Sequence, residues 1–195
     1  AMLNEINRPH SNIITLEDPV EYRMEHIRQV QLNHKAGMTF ASGLRSILRQ
    51  DPDAVMIGEI RDSETSKVAI QAALTGHMVF STVHTNDATG ALTRLLDMGV
   101  ERFLVSSVLL VSIAQRLVRR VCPYCKKLYK PSDKEIKFWG LENRDPVNFA
   151  RAKGCSQCNN TGYKGRIGLY EILYLDDDIK AMILDGKSAQ VLFNF

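Results

Sequence analysis

Short apolar runs alternate with amphipathic stretches through the first half of the chain. Residues 12–16 read as a strand that ends in Glu17-Asp18-Pro19, because proline fixes the exit and removes a ladder donor. A weaker alternation over 28–32 reads as a second strand. Leu44, Ile47 and Leu48 fall on one face at helical spacing, so a helix is predicted from a Thr39 cap to about Arg49, ended by Asp51-Pro52. The run Ala54-Val55-Met56-Ile57 then stops at Gly58-Glu59, a helix is predicted over 63–74, and another apolar run covers 78–83 between His77 and His84. Strand, helix and strand within about thirty residues make a βαβ unit. The strands of such a unit are parallel, and ligands bind beyond their carboxyl ends.

Asn86-Asp87 opens another helix through Leu96, closed by Gly99. The longest helix is predicted over 101–120, apolar enough to be largely buried. Residues 2–7 read as the end of a helix. At Cys122 the texture changes to Lys, Gly, Asn and Pro until about Lys164; 165–175 returns to strand character, and 176–195 reads as one or two short helices. The fold class is α/β, with no internal repeat and no low-complexity tract.

Composition adjusts this picture only at the margins. With 195 residues, 45% apolar and 24% charged, the chain is long enough for one cored domain and a small appendage. A net charge of +3 is too small to indicate a nucleic acid or an anionic membrane as partner. The most apolar helix candidate, 103–118, is broken by Ser106, Ser107, Ser112, Gln115 and Arg116, too short and too polar to span a bilayer. No signal peptide is visible, and a cytosolic protein is expected.

The cysteines carry the clearest chemistry. Cys122/Cys125 and Cys155/Cys158 are two CxxC pairs with 29 residues between them. Each pair bends the chain so that both thiolates reach one tetrahedral ion, and two pairs close a four-thiolate zinc site of structural type. A redox pair, disulfides or a nucleic-acid zinc ribbon are the alternatives to that reading. The helix-like stretch 133–139 has to loop out between the pairs.

Glu17, Asp18 and Glu21 place three acids just after one strand, and Glu59 and Asp62 place two after another. Carboxylates at strand ends can hold Mg²⁺ through water or orient a water that attacks a phosphate; they can equally sit in solvent or cap helices. Of the two histidines, His84 stands at a strand's carboxyl end, where it can sense a phosphate or a metal. Ala181, Gly186, Lys187 and Ser188 fit the loosest form of the phosphate-binding loop. That loop needs a strand before it and a helix after it, whereas 179–184 reads as helix. No other match exists in the chain. The acids are present without the phosphate cradle, so the loop and the start of its helix are expected upstream.

In this order the motifs resemble a known family. Ile14-Thr15-Leu16-Glu17-Asp18-Pro19-Val20-Glu21 is similar to the aspartate box of the secretion ATPases that drive type II secretion and type IV pilus assembly. Leu48 to Asp53 with Gly58-Glu59-Ile60-Arg61-Asp62 resembles their Walker B segment, and Leu74-Thr75-Gly76-His77 with Ser81 to Asn86 their histidine box. Ala114 to Val118 followed by CxxC, then Gly154-Cys155, Cys158 and the glycines at 162, 165 and 168, resembles the assembly-type branch with its zinc subdomain.

The resemblance implies a partial RecA-like core over 1–119, a zinc subdomain over 120–165, and a C-terminal strand and helices over 166–195. It implies a hexameric ring with ATP and Mg²⁺ between subunits, working on the secretion or pilus platform at the cytoplasmic face of the inner membrane. Membrane association would come only through partners, and no nucleic acid is expected. Glu17 would activate the attacking water, Glu59 would assist Mg²⁺, and His84, with His77, would meet the phosphates. Asp18, Glu21 and Asp62 would stand nearby. Arg23, Arg28, Arg45 and Arg49 are candidates to neutralise transition-state charge, some across a subunit boundary. Zn²⁺ would be structural. Lacking the phosphate-binding loop, this chain alone is expected to be nearly inactive. Two rival readings are a zinc-stabilised interaction module without motor activity, and a RecA-like core with a zinc ribbon acting on nucleic acid.

Overall fold

Every residue of the strand β1 (Ile13–Glu17) is buried, which marks it as interior to its sheet. The structure is a computed structural model and describes residues 2–142, 147–188 and 191–192. β1 lies between β2 (Arg28–Gln31) and β3 (Ala54–Ile57), and β4 (Met78–Ser81) follows on the far side of β3. All three pairings are parallel, with Leu16 opposite Ile57 and Ile57 opposite Ser81. The carboxyl ends of all four strands therefore lie on one edge, as the βαβ pattern predicts.

Helices fill the connections from β2 to β3 and from β3 to β4, while β1 and β2 are joined by a loop. α1 (Met2–Ile6) precedes β1; α2 (Phe40–Leu48) and α3 (Ser63–Leu74) flank β3 in sequence; α4 (Ala88–Asp97) and α5 (Arg102–Val108) follow β4. Their starts are written in the sequence. Thr39 and Ser42 form a reciprocal capping box for α2, and the Asp62 and Asp87 carboxylates accept from Thr65 N and Gly90 N to cap α3 and α4. One sheet face, carrying Ile14, Leu16, Val55 and Ile57, forms the main core with Leu44 and Ile47 of α2 and Val68 of α3. Gly43 permits that approach, because a Cβ there would sit 2.9 Å from a Leu16 methyl. The opposite face carries a smaller cluster of Ile13 and Ala54 with Leu3 of α1 and Ile27. Alternation along β1 puts Thr15 and Glu17 on this second face.

The predicted helix over 101–120 is corrected by the structure. α5 ends at Val108, and β5 (Val111–Val121) begins, pairing with β8 (Tyr163–Tyr174). The expected burial is corrected too, since Ile113 and Leu117 are exposed. The stretch holds four β-branched residues, Val111, Ile113, Val118 and Val121, which prefer a pleated strand, and its pairing partner lies fifty residues away in sequence.

Two compact units result, Ala1–Ala114 with Glu171–Phe195, and Gln115–Tyr170. In the second, β6 (Lys127–Tyr129) and β7 (Phe149–Arg151) pair antiparallel, and α6 (Asp133–Phe138) is the predicted looped-out helix. Arg151 lies over the Tyr129 ring at 4.6 Å, and Phe149 meets that ring edge-on. In the first, α7 (Asp177–Leu184) contains Ala181, so the near-match to a phosphate-binding loop starts inside a helix, as expected. The end of the predicted C-terminal helices, 193–195, lies outside the described residues.

Candidate functional site

Glu17 ends β1, Glu59 stands two residues beyond β3, and His84 three residues beyond β4, so parallel pairing brings all three to one sheet edge. The Glu17 carboxylate is buried on the sheet. Its Oε1 accepts from Thr15 Oγ1 at 2.6 Å and from Gln29 Nε2 at 3.0 Å. Gly58 fits against the end of β1: its N–H donates to Leu16 O at 2.7 Å, and a Cβ would come within 3.5 Å of the Glu17 Cα. The next residue, Glu59, is thereby delivered beside Glu17's strand end. Glu59 Oε2 accepts from His84 Nε2 at 3.0 Å and from the Arg61 guanidinium. A carboxylate can only accept, so the His84 ring carries its proton on Nε2. Thr82 Oγ1 donates to Gly58 O at 2.7 Å and fixes the turn between these groups.

Of the remaining acids, Asp18 and Asp62 have other partners. Asp18 meets His34 Nε2 at 2.9 Å in an exposed pair. Both Asp62 oxygens serve Thr65, one on its N–H and one on its hydroxyl, each at 2.8 Å. Glu21 is exposed in the turn after β1.

His77 precedes β4 and so stands at the opposite edge from His84; a four-residue strand rising about 3.3 Å per residue separates the edges by roughly 10 Å. Its Nδ1 donates to Ala72 O at 3.1 Å, closing the end of α3. Arg45 and Arg49 lie with His77 along an open cavity of about 310 Å³ beside α2 and α3. Arg45 pairs with Glu64 at 2.8 Å, and Arg49 donates to Ser46 Oγ at 3.3 Å. Arg28 begins β2, at the amino edge, and Arg23 is exposed between Tyr22 and Met24. The structure thus gathers Glu17, Glu59 and His84, and sets His77, Arg28, Arg45 and Arg49 apart from them. Sequence reasoning missed Arg61, Thr15 and Gln29. Arg61 carried a signal, a cation two residues past a strand-end acid; Thr15 and Gln29 carried none without the strand register.

All four cysteines are free thiols, with every Sγ within 4.8 Å of the others. Cys122–Cys155, Cys125–Cys158 and Cys155–Cys158 stand at 4.0, 3.9 and 3.7 Å. A tetrahedral zinc with bonds near 2.3 Å spaces its sulfurs by about 3.8 Å, so the set fits that ion. Burial, joined by hydrogen bonding to Cys158 and Cys125, pushes the Cys155 thiol up to about 11. Burial also acts to raise Cys158, but the Cys155 and Gly162 N–H groups, joined by hydrogen bonds with the Cys155 and Cys125 side chains, outweigh it and bring that thiol to about 6. N–H donors aimed at sulfur suit a thiolate ligand.

Comparison with known proteins extends this geometry. Residues 1–194 match the family described as "Type II/IV secretion system protein". The chain is 52% identical to a type II secretion system protein E of Pseudomonas aeruginosa and 52% identical to the type II secretion system ATPase E of Vibrio cholerae. It covers 97% and 98% of its own length in these matches but 38% of each relative. The type IV pilus assembly ATPase PilB of Thermus thermophilus is 50% identical over 97% of this chain and 22% of that protein. Among solved structures, the pilus retraction motor PilT with bound ADP superposes with a TM-score of 0.69 at 30% identity, over 99% of this chain and 47% of that one. The ATPase DotB of Legionella pneumophila shares the fold, with a TM-score of 0.64 at 22% identity over 99% of this chain and 45% of that one.

Proposed function

Because this chain belongs to the type II/IV secretion system protein family, we propose that it is the catalytic half of an ATPase that powers type II secretion or type IV pilus assembly. The observation that carries the reading is the meeting of Glu17, Glu59 and His84 on one parallel-sheet edge. Glu17 would accept a proton from the water that attacks the γ-phosphate, and Glu59 would help hold Mg²⁺. His84 and Arg61, both on Glu59, face the phosphate end. Mg²⁺, when bound, neutralises charge on the transferred phosphoryl group.

No stretch of this chain has the strand, loop and helix order of a phosphate-gripping loop, and the chain spans 38% of its relatives' length, so the loop is proposed to lie outside these residues. The outer edge of β4 supports this: among the described residues no strand pairs with it, although Met78-Val79-Phe80 is apolar. The chain alone therefore turns over ATP slowly. Arg23, Arg28, Arg45 and Arg49 are the candidates to neutralise transition-state charge, some of them from a neighbouring copy in a hexameric ring. The ring acts on platform proteins at the cytoplasmic face of the inner membrane, and the four cysteines hold one structural Zn²⁺. A second reading, a zinc-stabilised docking module without motor activity, draws on that cluster alone.

Turnover of the full-length protein decides between them. Glu17→Ala and Glu59→Ala should each lower ATP hydrolysis by about 100-fold or more. Full turnover in both variants would remove these roles from Glu17 and Glu59, whereas no ATP hydrolysis by the full-length wild type would leave the docking module.

A further inference from the structure

We propose that Gln29 and Thr15 are positioning residues that lock the Glu17 carboxylate and tie it to the turn carrying Arg23. The inference rests on the reading of Glu17 as the group that activates water.

Parallel register places Gln29 directly opposite Thr15, and Glu17 two residues further along β1, so all three share a sheet face. The Gln29 amide has a single workable orientation. Its oxygen accepts from Met24 N at 2.8 Å, and its nitrogen donates to Tyr22 O at 3.0 Å and to Glu17 Oε1 at 3.0 Å. Exchanging oxygen and nitrogen would set donor against donor and acceptor against two acceptors. One side chain thus holds the backbone on both sides of Arg23 and one oxygen of Glu17. Thr15, fully buried, adds a second donor to that same oxygen at 2.6 Å.

The two donors have an asymmetric effect. Oε1 is occupied twice, whereas Oε2 takes no hydrogen bond from the described residues. Fixing one oxygen stops the carboxylate from rotating and leaves the other to receive a proton. A catalytic base must be held within a fraction of an ångström of its target, and loosening it costs rate rather than substrate binding. Gln29 also transmits any movement of the 22–24 turn to the carboxylate, so Arg23 and Glu17 shift together.

The test uses the full-length ATPase with Mg-ATP and four variants. Gln29→Leu keeps the volume and removes both donors; Thr15→Val keeps the shape and removes the hydroxyl; Thr15→Ser restores the hydroxyl; Glu17→Gln is the reference. Each of the first two should lower kcat about ten-fold with KM unchanged, and Thr15→Ser should recover most of what Thr15→Val loses. If Glu17→Gln hydrolyses ATP at the wild-type rate, the role of Glu17 fails and the positioning role with it. If Glu17→Gln is inactive while Gln29→Leu and Thr15→Val keep wild-type kcat, or while Thr15→Ser recovers nothing, the positioning role alone is overturned. Should Gln29→Leu fail to fold, the Thr15 pair decides.

Discussion

Gly58 sits at a close approach on the strand edge. A Cβ there would lie 3.2 Å from the Leu16 carbonyl oxygen, backbone that cannot swing aside. Gly58→Ala should push the end of β3 away from β1 and cost about 1–3 kcal/mol, seen as a lower denaturant midpoint with an unchanged m-value. It should also move Glu59 relative to Glu17, so a loss of turnover beyond the loss of folded protein is expected. At this scale the sequence was informative where chemistry follows a strand directly. Glu17, Glu59 and His84 each stand just past an apolar run, and the run announces them. Gln29 and Thr15 are ordinary strand residues fourteen positions apart, and only the parallel register makes them neighbours.

The elements that sequence located best are those with a local start signal. Asp62, read in the sequence as a nucleotide-side acid, has both oxygens on Thr65 at the head of α3. Asp62→Ala should cost about 1 kcal/mol of stability, while Asp62→Asn keeps most of the cap; thermal unfolding of both variants measures the difference. α6 offers a pH test. The Ser132 N–H, then its hydroxyl and that of Tyr129, hold the Glu135 carboxyl below its ordinary 4.5. A depressed native value means the cap stabilises α6 above 4.5 and is lost as pH falls through the lower native value. A carboxyl-carbon NMR titration should place the Glu135 midpoint below 4.5, with α6 loosening in the same window. β5 shows where local reading ends. Its residues are apolar enough for a helix, and the decision to extend comes from pairing with β8, which no window around residue 115 contains.

A net charge of +3 conceals an uneven molecule. The unit Gln115–Tyr170 holds thirteen of the chain's 25 Lys and Arg but four of its 22 Asp and Glu, so that unit must fold against its own repulsion. Little apolar burial offsets this. Its β6–β7 pair has three residues per strand, and Tyr124, Leu128, Phe138 and Trp139 are all exposed. Cys122 and Cys158, by contrast, are buried, and the Cys122 N–H reaches Gly162 O at 2.9 Å. The unit's cohesion is therefore expected to come from an ion held by the four cysteines, since metal affinity and folding are linked. The protein should contain about one zinc per chain by elemental analysis. A strong chelator should abolish amide protection within Gln115–Tyr170 and leave the β1 and β3 amides protected, with added Zn²⁺ restoring the loss. Protection in Gln115–Tyr170 that survives complete removal of metal would show that packing, not the cysteine cluster, holds the unit together.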